Sequence, residues 1–206
     1  MSESEAKLFV IAAPSGAGKT TLVHAIVTRH PELRFSISYT TRPKRSNEAH
    51  AVDYLFVDED QFADLRDDGA LLEFAEVFDN NYGTSRSQVE EHLGKGHHVV
   101  LEIDWQGARQ VRESMPECVT IFVLPPSHDE LVRRLRDRRT DSDDVIARRL
   151  GDALSDMSHW GEFDYVVIND DLDKAIADLE AVLAGRGRDQ ATDNETLRRT
   201  VAAIVA

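Results

Sequence analysis

The stretch Leu8–Leu22 reads LFVIAAPSGAGKTTL: an apolar run, a glycine-rich loop, and Lys-Thr-Thr at the start of a predicted helix. The backbone N–H groups of such a loop, together with the positive end of the following helix, form a site for a polyphosphate. Gly16 and Gly18 let the backbone close around the anion. Lys19 is spaced to reach the outer phosphates, and the Thr20 hydroxyl suits Mg2+. The stretch therefore predicts a P-loop between a buried strand and a helix.

Ala13 departs from the pattern G-x-x-x-x-G-K-[ST], which has glycine at that position. The loop must therefore tolerate a methyl group there. The alternative interpretation is a glycine-rich turn with an incidental lysine. Strand, loop, Lys-Thr and helix nevertheless follow in the order that phosphate binding needs, which favours the P-loop.

Composition limits the classes of partner. The chain has 206 residues, of which 41% are hydrophobic, enough for one globular core with inserted lobes. A net charge of -14 argues against general binding of nucleic acid or membrane surfaces, because these polyanions need clustered Lys and Arg. The single cysteine, Cys118, forms no internal disulfide, and MSESEAK at the start does not resemble a signal peptide. We expect a cytoplasmic protein with no nucleic-acid or membrane partner.

Apolar runs and the residues that end them predict the order of helices and strands. Strands are predicted at 7–13, 98–103, 119–124 and 165–168, and helices at 19–30, 129–137, 144–157 and 172–183. Buried apolar strands separated by helices are typical of a parallel sheet covered on both faces. The predicted fold class is α/β, a P-loop NTPase parallel sheet flanked by helices.

Residues 34–86 break this rhythm, because short strands predicted at 34–38, 54–57 and 71–78 follow one another with little helix between them. Asp58 and Gln61 predict a capping box, Asn80–Gly83 has turn chemistry, and Ser85 with Gln88 starts another helix. We therefore predict an inserted mixed α+β lobe at 34–86. The core would then consist of residues 1–33 and 87–206.

The lobe carries an arginine pair, Arg42 and Arg45. Pro43 forces Arg42 into extended geometry, and at three residues per polyproline turn both guanidinium groups point the same way. Such a pair can clamp a phosphate, and Tyr54 and Tyr82 can add hydroxyl donors. Two solvated loop charges are the alternative, but the P-loop elsewhere in the chain favours the clamp.

A third basic segment, LVRRLRDRRTDSDDVIARRL at Leu131–Leu150, holds seven of the 24 Lys and Arg residues. A charge run is usually a solvated helix face, and Arg133, Arg134 and Arg136 are interpreted in that way. The Thr-Asp-Ser-Asp segment ends one helix and caps the next. Arginines on a hinged segment can close over a nucleotide and meet the charge that develops on a transferring phosphoryl group. We predict a helical lid at about 135–150.

Together these motifs resemble the guanylate kinase family. They are the P-loop, SYTTR at 38–42, DY at 53–54, YGTS at 82–85, EID at 102–104 with QG at 106–107, and NDD at 169–171. The resemblance covers about Leu8–Leu183, and several motifs in the right order are more specific than a P-loop alone. It implies transfer of the γ-phosphate of ATP to GMP or dGMP with Mg2+, in a fold with a nucleotide core, a GMP-binding lobe and a mobile lid.

The resemblance also implies roles for individual residues. It implies ATP contacts from Ala13, Pro14, Ser15, Gly16, Ala17, Gly18, Lys19, Thr20, Thr21 and Asn169. The GMP phosphate would be bound by Arg42, Arg45, Tyr54 and Tyr82, and guanine by Ser38, Glu73, Thr84 and Glu102. The catalytic cations would be Lys19, Arg138 and Arg149, and Mg2+ would be held by Thr20 and, through water, by Asp104.

Several positions keep an alternative or depart from the family pattern. Arg148 is the near-equivalent alternative to Arg149, and Asn169 is also compatible with a simple turn. The family usually has Asp where this chain has Glu102, so the relative roles of Glu102 and Asp104 stay open. Arg139 stands where the family commonly has Gly, which affects the expected flexibility of the lid.

The assignment of Glu73 to guanine also has a chemical argument that does not depend on the resemblance. Guanine offers N1–H and an exocyclic amine as adjacent donors, so a carboxylate accepts from both, whereas adenine presents an acceptor at N1. A carboxylate therefore selects guanine. The strand LLEFAEVF taken alone is equally compatible with an outward-facing, solvated Glu73.

Two other functions stay open at this stage. A guanylate-kinase-like domain can bind phosphopeptides or proteins without catalysis. The loop RPKRSN at 42–47 also differs from the family, which often has Pro directly before the second Arg and Gly two residues after it, so a kinase for a sugar phosphate is the second alternative. The tail at about 186–206, ending in LRRTVAAIVA, is interpreted either as loosely packed or as a helix that forms a homo-oligomer.

Overall fold

The computed structural model describes residues 6–46, 48–77, 79–137 and 143–206, with 143–145 as backbone only. The chain divides into two compact units. The first contains the residues up to Val10 and the segment Pro31–Cys118, and the second contains Ile11–His30 and Val119–Ala206.

Nine strands are described, in chain order: β1 Leu8–Ala12, β2 Leu33–Phe35, β3 Tyr39–Thr40, β4 Leu55–Phe56, β5 Leu71–Val77, β6 Asn80–Ser85, β7 His98–Glu102, β8 Val119–Leu124 and β9 Tyr165–Ile168. The described helices are α1 Lys19–Arg29, α2 Glu59–Asp67, α3 Arg86–Gly94, α4 Trp105–Ser114, α5 His128–Asp137, α6 Asp143–Met157, α7 Leu172–Leu183 and α8 Glu195–Val205. Two short 3-10 segments are Ser158–Glu162 and Arg188–Gln190.

The parallel sheet has the strand order β2-β7-β1-β8-β9. β2 pairs with β7 in parallel, and β8 pairs with β9 in parallel. Every residue of β1 is buried, as the apolar run predicts for a strand covered on both faces. The predicted α/β class with a parallel sheet flanked by helices is confirmed.

A second sheet lies within the first unit, with the order β4-β3-β6-β5. β6 pairs antiparallel with both β3 and β5, while β3 and β4 pair in parallel. The register between β5 and β6 shifts between Leu71 and Glu73, and Glu73 then lies opposite Thr84. Two residues predicted to contact guanine are therefore cross-strand neighbours.

The predicted helix starts are confirmed. Asp58 accepts a hydrogen bond from the Gln61 N–H at 2.8 Å, and the Gln61 side chain accepts one from the Asp58 N–H at 3.1 Å, which completes the capping box of α2. Ser85 caps α3 by accepting from the Gln88 N–H at 3.3 Å.

The turn predicted at Asn80–Gly83 is wrong, because these residues belong to strand β6. Asp79 has a φ of 61° and supplies the left-handed conformation just before the strand, so the chain does not need Asn80 or Asn81 for it. Cross-strand pairing with β3 and β5 then holds Asn80–Ser85 extended. Strand β3 and helix α4 were not predicted from the sequence.

The C-terminal segment packs within the second unit, to which it belongs. Ala191 forms an antiparallel bridge with Tyr165 of β9, and the Thr192 N–H donates to the Asp164 carbonyl at 2.9 Å. Val201 of α8 is fully buried, and the Arg198 guanidinium lies over the Trp160 ring. Self-association through α8 stays a prediction. In the parts of the chain that the structure describes, no helix has the length and apolarity needed to cross a bilayer.

Ala51 carries backbone strain that a substitution can remove. Its φ is 62°, and this left-handed conformation costs most residues other than Gly, Asn and Asp about 1–2 kcal/mol of conformational free energy. Its side chain is exposed, and its N–H donates to the Tyr54 carbonyl at 2.9 Å. Ala51→Gly is therefore expected to stabilise the fold by about 1 kcal/mol, or about 2–4 °C in Tm. Ala49→Gly, at an exposed loop position with negative φ, is the control and is expected to lower Tm. A lower Tm for Ala51→Gly in calorimetry contradicts the argument.

Candidate active site

The loop between β1 and α1 has the backbone conformation that its glycines predict. Gly16 has a φ of 91° and Gly18 a φ of 87°, both left-handed. A side chain at Gly16 would meet Leu131 and Leu135, and one at Gly18 would meet the Asn169 amide. Among the described residues other than glycine, positive φ occurs only at Ala51 and Asp79, so Ala13 tolerates its methyl group in an ordinary conformation.

The Ala17 carbonyl of this loop is fixed by two residues that are distant in the sequence. The Asn169 side-chain amide donates to it at 2.8 Å, and Arg134 Nη1 donates to it at 3.2 Å. Arg134 Nη2 also donates to the Asn169 carbonyl at 2.9 Å. Asn169 is buried, and its own N–H donates to Leu124 of β8 at 2.8 Å. These bonds hold the loop in one conformation, all within the second unit.

Arg134 was missed by the sequence interpretation, which placed it on a solvated face. Its side chain is 21% exposed, against 62% for Arg133. Glu130 accepts two hydrogen bonds from Arg133 and one from Arg134 Nε at 2.7 Å, and the bonds from these two arginines lower the pKa of Glu130 to about 2. No sequence signal distinguishes the two arginines, because only the direction of each side chain from α5 separates them.

The predicted phosphate clamp forms a cluster of aromatic rings and a guanidinium group in the first unit. The Arg42 guanidinium carbon lies 5.3 Å from the centre of the Tyr54 ring and 5.9 Å from that of Phe56. The Tyr54 and Tyr82 rings meet edge to face at 5.9 Å. The structure therefore brings together three of the four residues predicted to bind the GMP phosphate.

Glu48 links this cluster to the fourth residue, Arg45. Arg42 Nη2 donates to Glu48 Oε1 at 2.8 Å, and the two side chains are 13% and 11% exposed. The Arg45 N–H donates to the other carboxylate oxygen at 2.8 Å, and its Nη1 lies 3.8 Å from Oε1, although the Arg45 side chain is 65% exposed. Both guanidinium groups thus lie beside one carboxylate, which sequence reasoning missed.

Electrostatics in the cluster keep its phenol neutral and its guanidinium charged. Burial, and next the charge of Glu102, raise the pKa of Tyr54 to about 12, so its hydroxyl remains a hydrogen-bond donor at neutral pH. Burial alone would lower the pKa of Arg42, but the hydrogen bond to Glu48 and the neighbouring Tyr82 raise it. The hydrogen bond from Arg42 lowers the pKa of Glu48. The cluster therefore presents donors to an anion.

Glu73 is buried rather than solvated. It is 3% exposed, and the Thr84 hydroxyl donates to its Oε1 at 2.6 Å. The register shift on β5 makes Leu71, Leu72 and Glu73 consecutively buried, which breaks the alternation of a regular strand. The outward-facing alternative for Glu73 is wrong, because the bulge and the cover of α4 turn this position inward.

The remaining predicted residues of the first unit lie at or next to the ends of strands and helices. Ser38 is half-buried just before β3, and its carbonyl accepts from the Leu55 N–H at 2.9 Å. Glu102 is half-buried at the end of β7. Asp104 is the N-cap of α4, where its Oδ1 accepts from the Gly107 N–H at 2.7 Å. Asp104 thus has a structural role that is independent of any metal.

In the second unit, Lys19 is half-buried, and Thr20 and Thr21 are exposed in the first turn of α1. Arg149 is half-buried on α6, whereas Arg148 is exposed. Arg138, Arg139 and most of the predicted hinge lie outside the described residues. Within the described ranges, no cluster of three His, Cys, Asp or Glu side chains is arranged to hold a metal.

The family model for guanylate kinase matches residues 5–186 of the chain. The chain belongs to the guanylate kinase family. It is 55% identical over 175 residues to a guanylate kinase of Alkalilimnicola ehrlichii, covering 85% of this chain and 86% of that protein. It is 53% identical over 176 residues to that of Methylococcus capsulatus, with the same coverage.

A crystal structure of guanylate kinase from Anaplasma phagocytophilum has the same fold. The TM-score is 0.73 at 32% sequence identity, and the match covers 96% of this chain and 94% of that chain. The resemblance to guanylate kinases inferred from the sequence motifs is thereby confirmed. The segment from Gly187 onward, including α8, lies beyond the guanylate kinase family match.

Proposed function

We propose that this chain transfers the γ-phosphate of ATP to GMP or dGMP, giving ADP and GDP. The buried Glu73–Thr84 pair is the observation that carries the substrate assignment. Burial of a carboxylate is costly unless it accepts hydrogen bonds, and guanine offers two adjacent N–H donors that suit such an acceptor. Ser38 and Glu102 would complete the guanine contacts, and the Thr84 hydroxyl already fixes one oxygen of Glu73.

The GMP phosphate would bind at the cluster of Arg42, Tyr54 and Tyr82, with Arg45 at its exposed side. A charged guanidinium and the Tyr54 hydroxyl suit a phosphate dianion, and the raised pKa of Tyr54, about 12, keeps its proton in place. The first unit would therefore recognise both ends of GMP, the base through Glu73 and the phosphate through Arg42.

The ATP phosphates would lie along the backbone N–H groups of the loop at 13–21, which the bonds from Arg134 and Asn169 keep in shape. Lys19 would bind the outer phosphates. Asn169 would also line the adenine side of the ATP site. Its side chain is buried and its amide donates to the Ala17 carbonyl, so it would form a rigid wall there.

Mg2+ is the expected partner of ATP, and its preferred ligands are oxygens. The Thr20 hydroxyl and the Asp104 carboxylate fit this preference. Asp104 uses one oxygen to cap α4, which favours contact through a water molecule rather than direct ligation. The ion would supply charge neutralisation on the β- and γ-phosphates.

The reaction needs little acid–base chemistry, because the attacking oxygen of GMP is already anionic. Positioning and charge compensation account for catalysis. Lys19 and the lid arginines, Arg138 and Arg149, would compensate the charge that develops on the transferring phosphoryl group. We further propose a core of residues 1–33 and 87–206, a GMP-binding lobe at 34–86, a lid at about 135–150, and a location in the cytoplasm.

A coupled ADP-release assay with GMP, dGMP, AMP, UMP and sugar phosphates tests the proposal. We expect turnover with GMP and dGMP and little with the others. Turnover with a sugar phosphate alone would support a different P-loop kinase. ATP binding in calorimetry without turnover of any substrate would contradict the kinase, and absence of ATP binding would support a non-catalytic binding module.

Glu48→Gln tests the phosphate clamp. Loss of the carboxylate charge releases Arg42, so we expect the KM for GMP to rise by about tenfold, the value of one charge-assisted hydrogen bond. Inhibition by guanosine, which has no phosphate, should stay unchanged. Glu90→Gln is the matched control, because Glu90 forms an exposed pair with Arg86 at 3.9 Å. Equal weakening of GMP and guanosine would contradict a role confined to the phosphate.

A further inference from the structure

Helix α4 packs along the edge strand β5 and contacts it at Phe74, the residue that follows Glu73. Gln110 of α4 bonds both backbone groups of Phe74: its Nε2 donates to the Phe74 carbonyl at 2.7 Å, and its Oε1 accepts from the Phe74 N–H at 3.1 Å. The side-chain amide thus pairs as the peptide group of a further strand would. It fixes the position of β5 at an edge that carries no other strand of the described sheet.

Gly107, one turn earlier on α4, lies directly against the Glu73 carboxylate. A Cβ at position 107 would overlap Glu73 Oε2 and would lie 3.1 Å from Glu73 Cδ. Such a close approach is possible only without a side chain. The bond from the Gly107 N–H to Asp104 fixes the start of the helix, so the backbone wall behind the carboxylate is rigid.

Glu73 needs this support because its own strand does not determine its direction. The register shift between Leu71 and Glu73 interrupts the regular pairing with β6, and bulges re-aim side chains. Thr84 holds Oε1 from one side at 2.6 Å. Gly107 borders Oε2, and Gln110 holds the adjacent peptide groups of Phe74. The carboxylate is thus held from two separate elements.

We propose that Gly107 and Gln110 are positioning residues for guanine specificity, which place the Glu73 carboxylate so that it accepts from both N1–H and the 2-amino group of the base. This inference rests on the proposed function. Hydrogen bonds to a charged acceptor are sensitive to position, and the amino group is the donor that separates guanine from hypoxanthine. Displacement of the carboxylate should therefore reduce the preference for GMP over inosine monophosphate, which has N1–H and no amino group.

The test compares kcat/KM for GMP and for inosine monophosphate in the full chain. Gln110→Met keeps the length of the side chain and removes both bonds to Phe74, and Gly107→Ala adds the methyl group that meets the carboxylate. For each variant we expect the GMP-to-inosine-monophosphate ratio to fall about tenfold, the value of one charge-assisted hydrogen bond. The change should appear in KM for GMP, with KM for ATP unchanged. Gln106→Met, at an exposed position of the same helix, should leave the ratio unchanged.

The outcomes separate this inference from the function on which it rests. A wild-type chain that does not phosphorylate GMP contradicts the proposed function. A wild-type chain that prefers GMP, with both variants keeping that preference, overturns the positioning role alone. A lower Tm with an unchanged ratio also overturns it, because a merely structural contact weakens both substrates equally. If Gly107→Ala does not fold, Gln110→Met decides the question.

Discussion

Arg149→Ala is expected to lower kcat by about 10²–10⁴-fold, with a much smaller change in KM for either nucleotide. An arginine that meets the charge developing on the transferring phosphoryl group acts in the transition state and little in the ground state. Arg149 is half-buried on α6, while its neighbour Arg148 is exposed to solvent. The burial of one and the exposure of the other favour Arg149 as the catalytic residue of the pair.

Steady-state kinetics with saturating ATP and GMP measure this effect, and Arg148→Ala is the matched control. We expect the control to retain a kcat within about threefold of the wild-type chain, since exposed surface charges contribute little. A large loss for Arg148→Ala with wild-type turnover for Arg149→Ala would reverse the assignment within the pair. Wild-type turnover in both variants would contradict any catalytic role for this part of α6.

Glu73→Gln is expected to lower kcat/KM for GMP by about 10²–10⁴-fold, because two hydrogen bonds to a charged acceptor are each worth about 1.5–3 kcal/mol. The glutamine side chain has the same shape, and its oxygen can still accept from the Thr84 hydroxyl, so the fold should be retained. Its amide nitrogen, however, places a donor against the donors of guanine.

The matched control is Glu76→Gln, an exposed carboxylate on the same strand, which should behave as the wild-type chain. Kinetics with GMP and AMP, together with thermal unfolding, measure the effect. Loss of activity accompanied by a large fall in Tm would show a folding defect instead of lost recognition. Unchanged kcat/KM for GMP would contradict the guanine-reading role of Glu73.

Local sequence predicted what depends on short-range chemistry. The glycine-rich loop between β1 and α1, the capping box at Asp58 and the strand–helix alternation are fixed by residues within a few positions of one another, and the structure confirms each of these local structures. The turn predicted at Asn80–Gly83 was wrong because it relied on local composition alone. Asn and Gly are frequent in turns, but cross-strand pairing with β3 and β5 holds these residues extended.

The orientation of long side chains could not be predicted in this way. Arg133 and Arg134 are adjacent and chemically identical, yet only Arg134 reaches the P-loop carbonyl. Glu48 gave no signal as the carboxylate between Arg42 and Arg45, because its importance depends on how the loop folds back. Helix α4 was missed, since its acidic start was interpreted as a metal ligand and not as an N-cap.

The sequence alone determined the family, the glycine-rich loop before α1 and the residue types of the proposed GMP site, because these rest on chemistry within short motifs. Tertiary structure alone decided that Glu73 is buried against Gly107, that Gln110 holds the edge of β5, and that Arg134 braces the loop. Each of these depends on contacts between segments more than 30 residues apart, and no local pattern of apolar and polar residues encodes which distant backbone a side chain will meet.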